Sequence, residues 1–178
     1  MKKETTAPQL DLKAFAQSAG HLEGHDLLSN YERLLEETQG QGADRMLNWS
    51  ARGELRINEA GVEQIWLHLS ADVRLPLTCQ RCLAPADIDV TINRSFRFVD
   101  SEELAQAQDE EAQEDVLAIS REFKLAELIE DEVLMEMPLV PRHEACPDDV
   151  KLAVADPGFD TALTQKRNPF EVLAKLKK

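Results

Sequence analysis

Between Leu47 and Phe98 the chain alternates apolar and polar side chains almost without interruption. In LNWSARGELRI the odd positions Leu47, Trp49, Ala51, Leu55 and Ile57 share one face, with Gly53 among them. The NEAG that follows reads as a turn. In IWLHLSADVRLPLTC the odd positions from Ile65 to Leu77 are apolar, and after APA the even positions Ile88, Val90, Ile92, Phe96 and Phe98 take over. A period of two puts successive side chains on opposite faces of a strand. Three such runs in succession predict an antiparallel meander with one buried face. That face needs a cover, and helices supply it. The fold class expected is α+β: an antiparallel meander sheet with helices packed on one face.

The helices follow from a different spacing. In REFKLAELIEDEVLMEMP, Leu125, Leu128, Ile129, Val133 and Met137 recur at helical intervals and Pro138 stops the run. On that helix Glu127, Glu130, Asp131 and Glu136 are expected to face outward, and pairs such as Glu132 and Glu136 read as its solvated side. Near the N-terminus, Leu10, Leu12, Phe15 and Ala16 precede Leu27, Leu28, Tyr31, Leu34 and Leu35, which have helical spacing, so residues 1–45 are read as a helical arm, two short helices or a helix-rich stretch. Asp26 or Ser29 can cap its helix and Gly40 can end it. SEELAQAQDEEAQED reads as a solvated loop or a short exposed helix, and VLAIS as a short closing strand. Residues 46–150 then form the sheet and acidic-helix core. Residues 151–178 read as a flexible segment with a short basic helix at NPFEVLAKLKK, where Asn168 caps and Pro169 takes the first position.

Charge changes what this scaffold can bind. The formal net charge is -14, which repels phosphate backbones and anionic membranes at long range. The charge is also uneven. From Asp100 to Glu136 there are fourteen acidic residues against two basic ones, and from Thr164 to Lys178 five basic against one acidic. The 43% hydrophobic content is enough for a core. No apolar h-region follows Met1, Lys2 and Lys3, and no run of eighteen apolar residues occurs, so neither a secretory signal nor a membrane span is expected. With an odd number of cysteines, three, reduced thiols in the cytoplasm are the expectation.

The catalytic inventory is thin. The sequence contains no G-x-x-x-x-G-K-[ST], G-x-G-x-x-G or G-x-S-x-G. His21 and His25 lie four apart, but Gly20 and Gly24 argue against a helix that would align them, and they read as exposed loop. His68 reads as a solvated strand residue. The informative group is Cys79 and Cys82 in LTCQRC with His143 and Cys146 in RHEAC. Three thiolates and one imidazole make a tetrahedral zinc donor set. Closing the loop of about 60 residues costs about 3.6 kcal/mol plus a constant, against on the order of 10–16 kcal/mol from a structural zinc. A redox pair and two ordinary reduced thiols beside a turn remain open beside the zinc reading. In each case the chain must reverse between positions 79 and 82, because they fall on opposite faces of a straight strand.

Three stretches together, LTCQRCLAP, LIEDEVLMEMPLVPRHEACP and NPFEVLAKLKK, resemble the YceD family of large ribosomal RNA subunit accumulation proteins. The resemblance spans most of the chain and implies a cytoplasmic factor needed for normal levels of large-subunit (23S) ribosomal RNA, with no defined enzymatic activity. The mode of action expected is docking of a basic ribosomal or processing protein, or of a ribosome-assembly intermediate. The acidic helix residues Glu127, Glu130, Asp131 and Glu136 would make that contact. The basic residues Lys166, Arg167, Lys175, Lys177 and Lys178 are candidates for touching ribosomal RNA secondarily. The rival classes are an RNA-processing nuclease, whose carboxylates would converge on one pocket, and a small zinc-stabilised binding module.

Overall fold

The computed structural model describes residues 7–120 and 122–147. Contacts gather Met1–Ala145 into one compact unit, and of the remaining Cys146–Lys178 only Cys146 and Pro147 are described. The expected helix over residues 168–178 lies outside the described residues.

The elements run β1 (Gln9–Leu10), α1 (Leu12–Gln17), β2 (His21–Leu27), a 3-10 turn (Leu28–Asn30), α2 (Glu32–Glu37), β3 (Met46–Ile57), β4 (Glu63–Thr78), β5 (Pro85–Val99), α3 (Glu102–Asp109), β6 (Asp115–Ala118), β7 (Phe123–Lys124) and α4 (Leu125–Glu136). Among the described residues five strands form one sheet in the order β2-β3-β4-β5-β6, and four helices pack against it. This is the α+β architecture that the alternation predicts. The three long strands pair antiparallel in sequence order, with Trp49 opposite Ala71 and Ala71 opposite Ile92. Leu47, Trp49, Ala51, Leu67, Leu69, Val73, Leu75, Val90, Ile92, Phe96 and Phe98 all turn inward and are buried. On the other side of the core, α1 contributes Leu12, α2 Leu34, and α4 Leu125, Ile129 and Val133. The turn at NEAG is held by the Asn58 side chain, which accepts the N–H groups of Ala60 and Val62.

The N-terminal arm holds two short helices, α1 and α2, but a strand lies between them. Residues 21–27 are a strand, paired along their whole length with β3, His21 opposite Arg52 and Leu27 opposite Met46. Its inward positions are Leu22, Gly24 and Asp26. Gly24 is required there, since a Cβ would sit 2.4 Å from the Trp49 ring. Asp26 is buried and caps nothing. Its Oδ2 accepts the Tyr31 hydroxyl at 2.9 Å and the Trp49 indole N–H at 2.8 Å. The helix at 32–37 does end as expected at Gly40, through Gln39 N–H to Glu36 O and Gly40 N–H to Leu35 O, the paired bonds of a Schellman termination. Residues 102–109 form the short exposed helix, capped by Ser101, which accepts from the Leu104 N–H. The closing strand β6 is present but joins β5 in parallel, Phe96 opposite Asp115, because α3 carries the chain back across the sheet end.

Candidate metal centre

The site is built where β4 stops. After Thr78 the chain reverses through Cys79–Ala84. The Cys79 N–H donates to Ala84 O and the Leu83 N–H to Cys79 O, both at 2.9 Å. Leu83 adopts φ +61 to close this turn. The reversal expected between positions 79 and 82 is thus a knuckle whose left-handed residue is a leucine.

The second half of the site arrives from α4. Pro138 bars further helix, and the extended 138–145 segment runs back to the knuckle, where the Gln80 N–H donates to Pro141 O at 2.8 Å. His143 is fixed by its Nε2, which lies 3.0 Å from the Pro85 carbonyl oxygen. A carbonyl only accepts, so Nε2 carries the proton and Nδ1 presents its lone pair. That Nδ1 lies 3.4 Å from Cys82 Sγ. Cys146 follows three residues after His143, a span of at most about 11 Å. Its Sγ falls in the same cluster, in which the donor atoms of Cys79, Cys82, His143 and Cys146 all lie within 4.8 Å of one another.

The donor set fits zinc. Bonds of about 2.3 Å to sulfur and about 2.0–2.1 Å to nitrogen at tetrahedral angles put S and N about 3.5 Å apart, close to the Cys82–His143 separation. Cys79 is fully buried. Burial pushes its thiol up, but the backbone N–H groups of Cys82, His143 and Arg81 point at the sulfur and, with the Cys82 thiol, hold it down to about 5. N–H groups aimed at sulfur favour the thiolate that a metal requires. All four positions are protein side chains, the composition of a structural site, in which zinc would lock two chain segments together. The pair is in a strand-to-strand turn, away from the helix N-terminus that activates thiols in thioredoxin-like dithiols.

A family model described as large ribosomal RNA subunit accumulation protein YceD matches residues 67–177, well over half of the chain. The chain belongs to the YceD family. The match starts in β4 and takes in all four candidate ligands. Membership in the YceD family implies a part in the accumulation of large-subunit ribosomal RNA, and the family is one of ribosome-biogenesis factors not known as enzymes. No solved structure matches this chain. Among the described residues no helix is long and apolar enough to cross a membrane.

The acidic helix is arranged differently from its expected pattern. Glu127 is exposed and accepts from Lys124 Nζ at 2.6 Å. Asp131 is exposed and held by the Arg33 guanidinium, and Glu136 lies 3.6 Å from Arg94 Nη2. Glu130 does not face outward. It is 9% exposed, and its Oε1 accepts the backbone N–H groups of Arg33 at 2.8 Å and Leu34 at 3.3 Å. It therefore caps α2, whose own N-cap residue Tyr31 makes no side-chain cap bond. Glu132 is likewise buried, at 7%, where the spacing suggested a solvated face. His68 is half-buried, with Ser95 Oγ and Glu54 Oε2 each 2.8 Å from its ring nitrogens. His21 and His25 are exposed positions of β2 and take no part in the metal cluster. The candidates Lys166, Arg167, Lys175, Lys177 and Lys178 lie outside the described residues. The spacing pointed to the four residues that cluster here and gave no sign of what surrounds them. The Pro85 and Pro141 carbonyls and the backbone N–H groups on Cys79 are main-chain atoms, for which no residue type gives a signal.

Proposed function

We propose that this protein is a non-catalytic ribosome-biogenesis factor that supports accumulation and processing of 23S ribosomal RNA by binding a basic ribosomal or processing protein. The family match over residues 67–177 carries the reading. Charge supports the protein partner over direct RNA coating. A net charge of -14 is unfavourable toward phosphate and favourable toward the cationic proteins of the ribosome, whose encounter it steers. In this reading zinc bound by Cys79, Cys82, His143 and Cys146 is structural, clamping the segment after α4 to the β4–β5 knuckle. The acidic surface, with Glu127, Asp131 and Glu136 on α4, meets the partner.

The test is affinity purification of the tagged full-length protein from its own cells at low and at high salt. Large-subunit proteins or assembly intermediates should co-purify at low salt and be lost at high salt. Recovery of no ribosomal protein at low salt overturns the reading. Cleavage of precursor ribosomal RNA by pure protein with a divalent metal would replace it with the nuclease.

A further inference from the structure

An open groove of about 430 Å³ lies between α4 and β6. Phe96, Val116 and Leu128 form its apolar floor, and Leu134 and Met135 stand at its side. Met135 is 73% exposed, whereas Leu125, Leu128, Ile129 and Val133 of the same helix are buried. Asp109 and Asp115, both exposed, sit on the rim.

Glu132 also lines this groove, and its position is unusual. It is 7% exposed and paired only loosely, with Arg94. Among the described residues its ionic partner is Arg94, whose Nε lies 3.8 Å from Oε2, within ion-pair distance but too far for a hydrogen bond. A carboxylate with so little exposure and only one loosely held cation gains from a second cation brought against it through the groove. Burial pushes the Glu132 carboxyl upward, Arg94 opposes this, and Asp115, Asp131 and Glu136 add to it, so the negative potential converges here.

We propose that this groove is the docking site for a cationic amphipathic segment of a basic protein, with an apolar side chain on the Phe96–Leu128 floor and a Lys or Arg against Glu132. The proposal rests on the partner reading above and names its place. Charge selects this occupant: RNA or an anionic membrane would meet Asp109, Asp115 and Glu132 as like charges, and a second copy of a chain at -14 is repelled at long range.

Fluorescence anisotropy of the full-length chain tests it, using a labelled synthetic helix with a leucine stripe and a lysine face, and a leucine–glutamate counterpart. The lysine peptide should bind, and Glu132→Gln and Met135→Ser should each weaken it by about tenfold. Glu23→Gln, on the opposite face of the sheet, should leave it unchanged. Absence of binding, equal binding by both groove variants, equal binding of the glutamate peptide, or self-association through the groove overturns the proposal. The same variants in the affinity purification separate the two readings. Ribosomal proteins retained in full by Met135→Ser refute the groove and leave the partner reading standing. Glu132-dependent peptide binding without ribosomal capture supports the groove and removes the partner reading.

Discussion

Arg33 is bonded twice to Glu130, by its backbone N–H to Oε1 at 2.8 Å and by its guanidinium Nε to Oε2 at 3.0 Å. One carboxylate thus caps the N-terminus of α2, satisfies the Leu34 N–H and ties α2 to α4. Glu130→Ala leaves two backbone donors without their acceptor and should cost about 2–3 kcal/mol in urea unfolding. Glu130→Gln keeps one acceptor oxygen and should cost about 1–2 kcal/mol. Glu127→Ala, one turn earlier on the exposed face, should fall within about 0.5 kcal/mol of the wild type.

Tyr31 is the single tyrosine of the chain and is 1% exposed. Burial first, then the charge and hydrogen bond of Asp26, drive its phenol far above the usual tyrosine range. In the unfolded chain it ionises near pH 10. Its contribution to stability is therefore complete below about pH 10 and declines as pH rises beyond it, since only the unfolded state then releases the proton. Tyrosinate absorbance in an alkaline titration should appear only together with loss of the folded circular dichroism signal. A tyrosinate signal in the still-folded protein contradicts the buried Tyr31–Asp26 bond. In Tyr31→Phe the alkaline decline should flatten.

Protein purified without chelator should carry about one zinc per chain. Cys82→Ser and His143→Ala should each reduce this well below stoichiometry, measured by mass spectrometry of the metal. Stripping the metal should lower the melting temperature by roughly 10 °C, because zinc bound only by the folded chain adds its binding energy to folding. Stoichiometric zinc in Cys82→Ser would place the ion elsewhere.

Leu83 holds φ +61 at 74% exposure, so its side chain gains little from packing. Relief of a left-handed non-glycine residue is worth about 1–2 kcal/mol, offset by about 0.5–1 kcal/mol of unfolded-state entropy when glycine replaces it. Leu83→Gly should leave chemical stability unchanged or raise it slightly. Leu83→Val, branched at Cβ, should lower it by about 1 kcal/mol or more. The pair of denaturation curves distinguishes backbone strain from lost contacts.

The long strands were legible because each has one wet face, and a period of two records that directly in Leu67, Leu69, Ala71 and Val73. Strand β2 was not, because two of its three inward residues are Gly24 and Asp26. Their burial depends on the Trp49 ring and the Tyr31 hydroxyl, brought in by neighbouring elements. The same cause hid Glu130 and Glu132. On the isolated α4 they belong to the polar side, and only Arg33, 97 residues from Glu130, and the groove beside β6 turn that side inward. The grouping of Cys79, Cys82, His143 and Cys146 was readable from C-x-x-C and H-x-x-C. Its closure depended on Pro138 ending α4 and on main-chain bonds at Gln80 and Pro85, which leave no mark in residue type.

The two halves of the metal donor set are separated by 61 residues from Cys82 to His143. At a synthesis rate of about 5–20 residues per second, His143 emerges roughly 3–12 s after the first two thiols. For that interval a metal ion would find only Cys79 and Cys82 of the four candidate ligands while the chain is still growing. Oxidative damage and capture of a wrong metal would therefore have their opening during translation, before the four-residue set is complete.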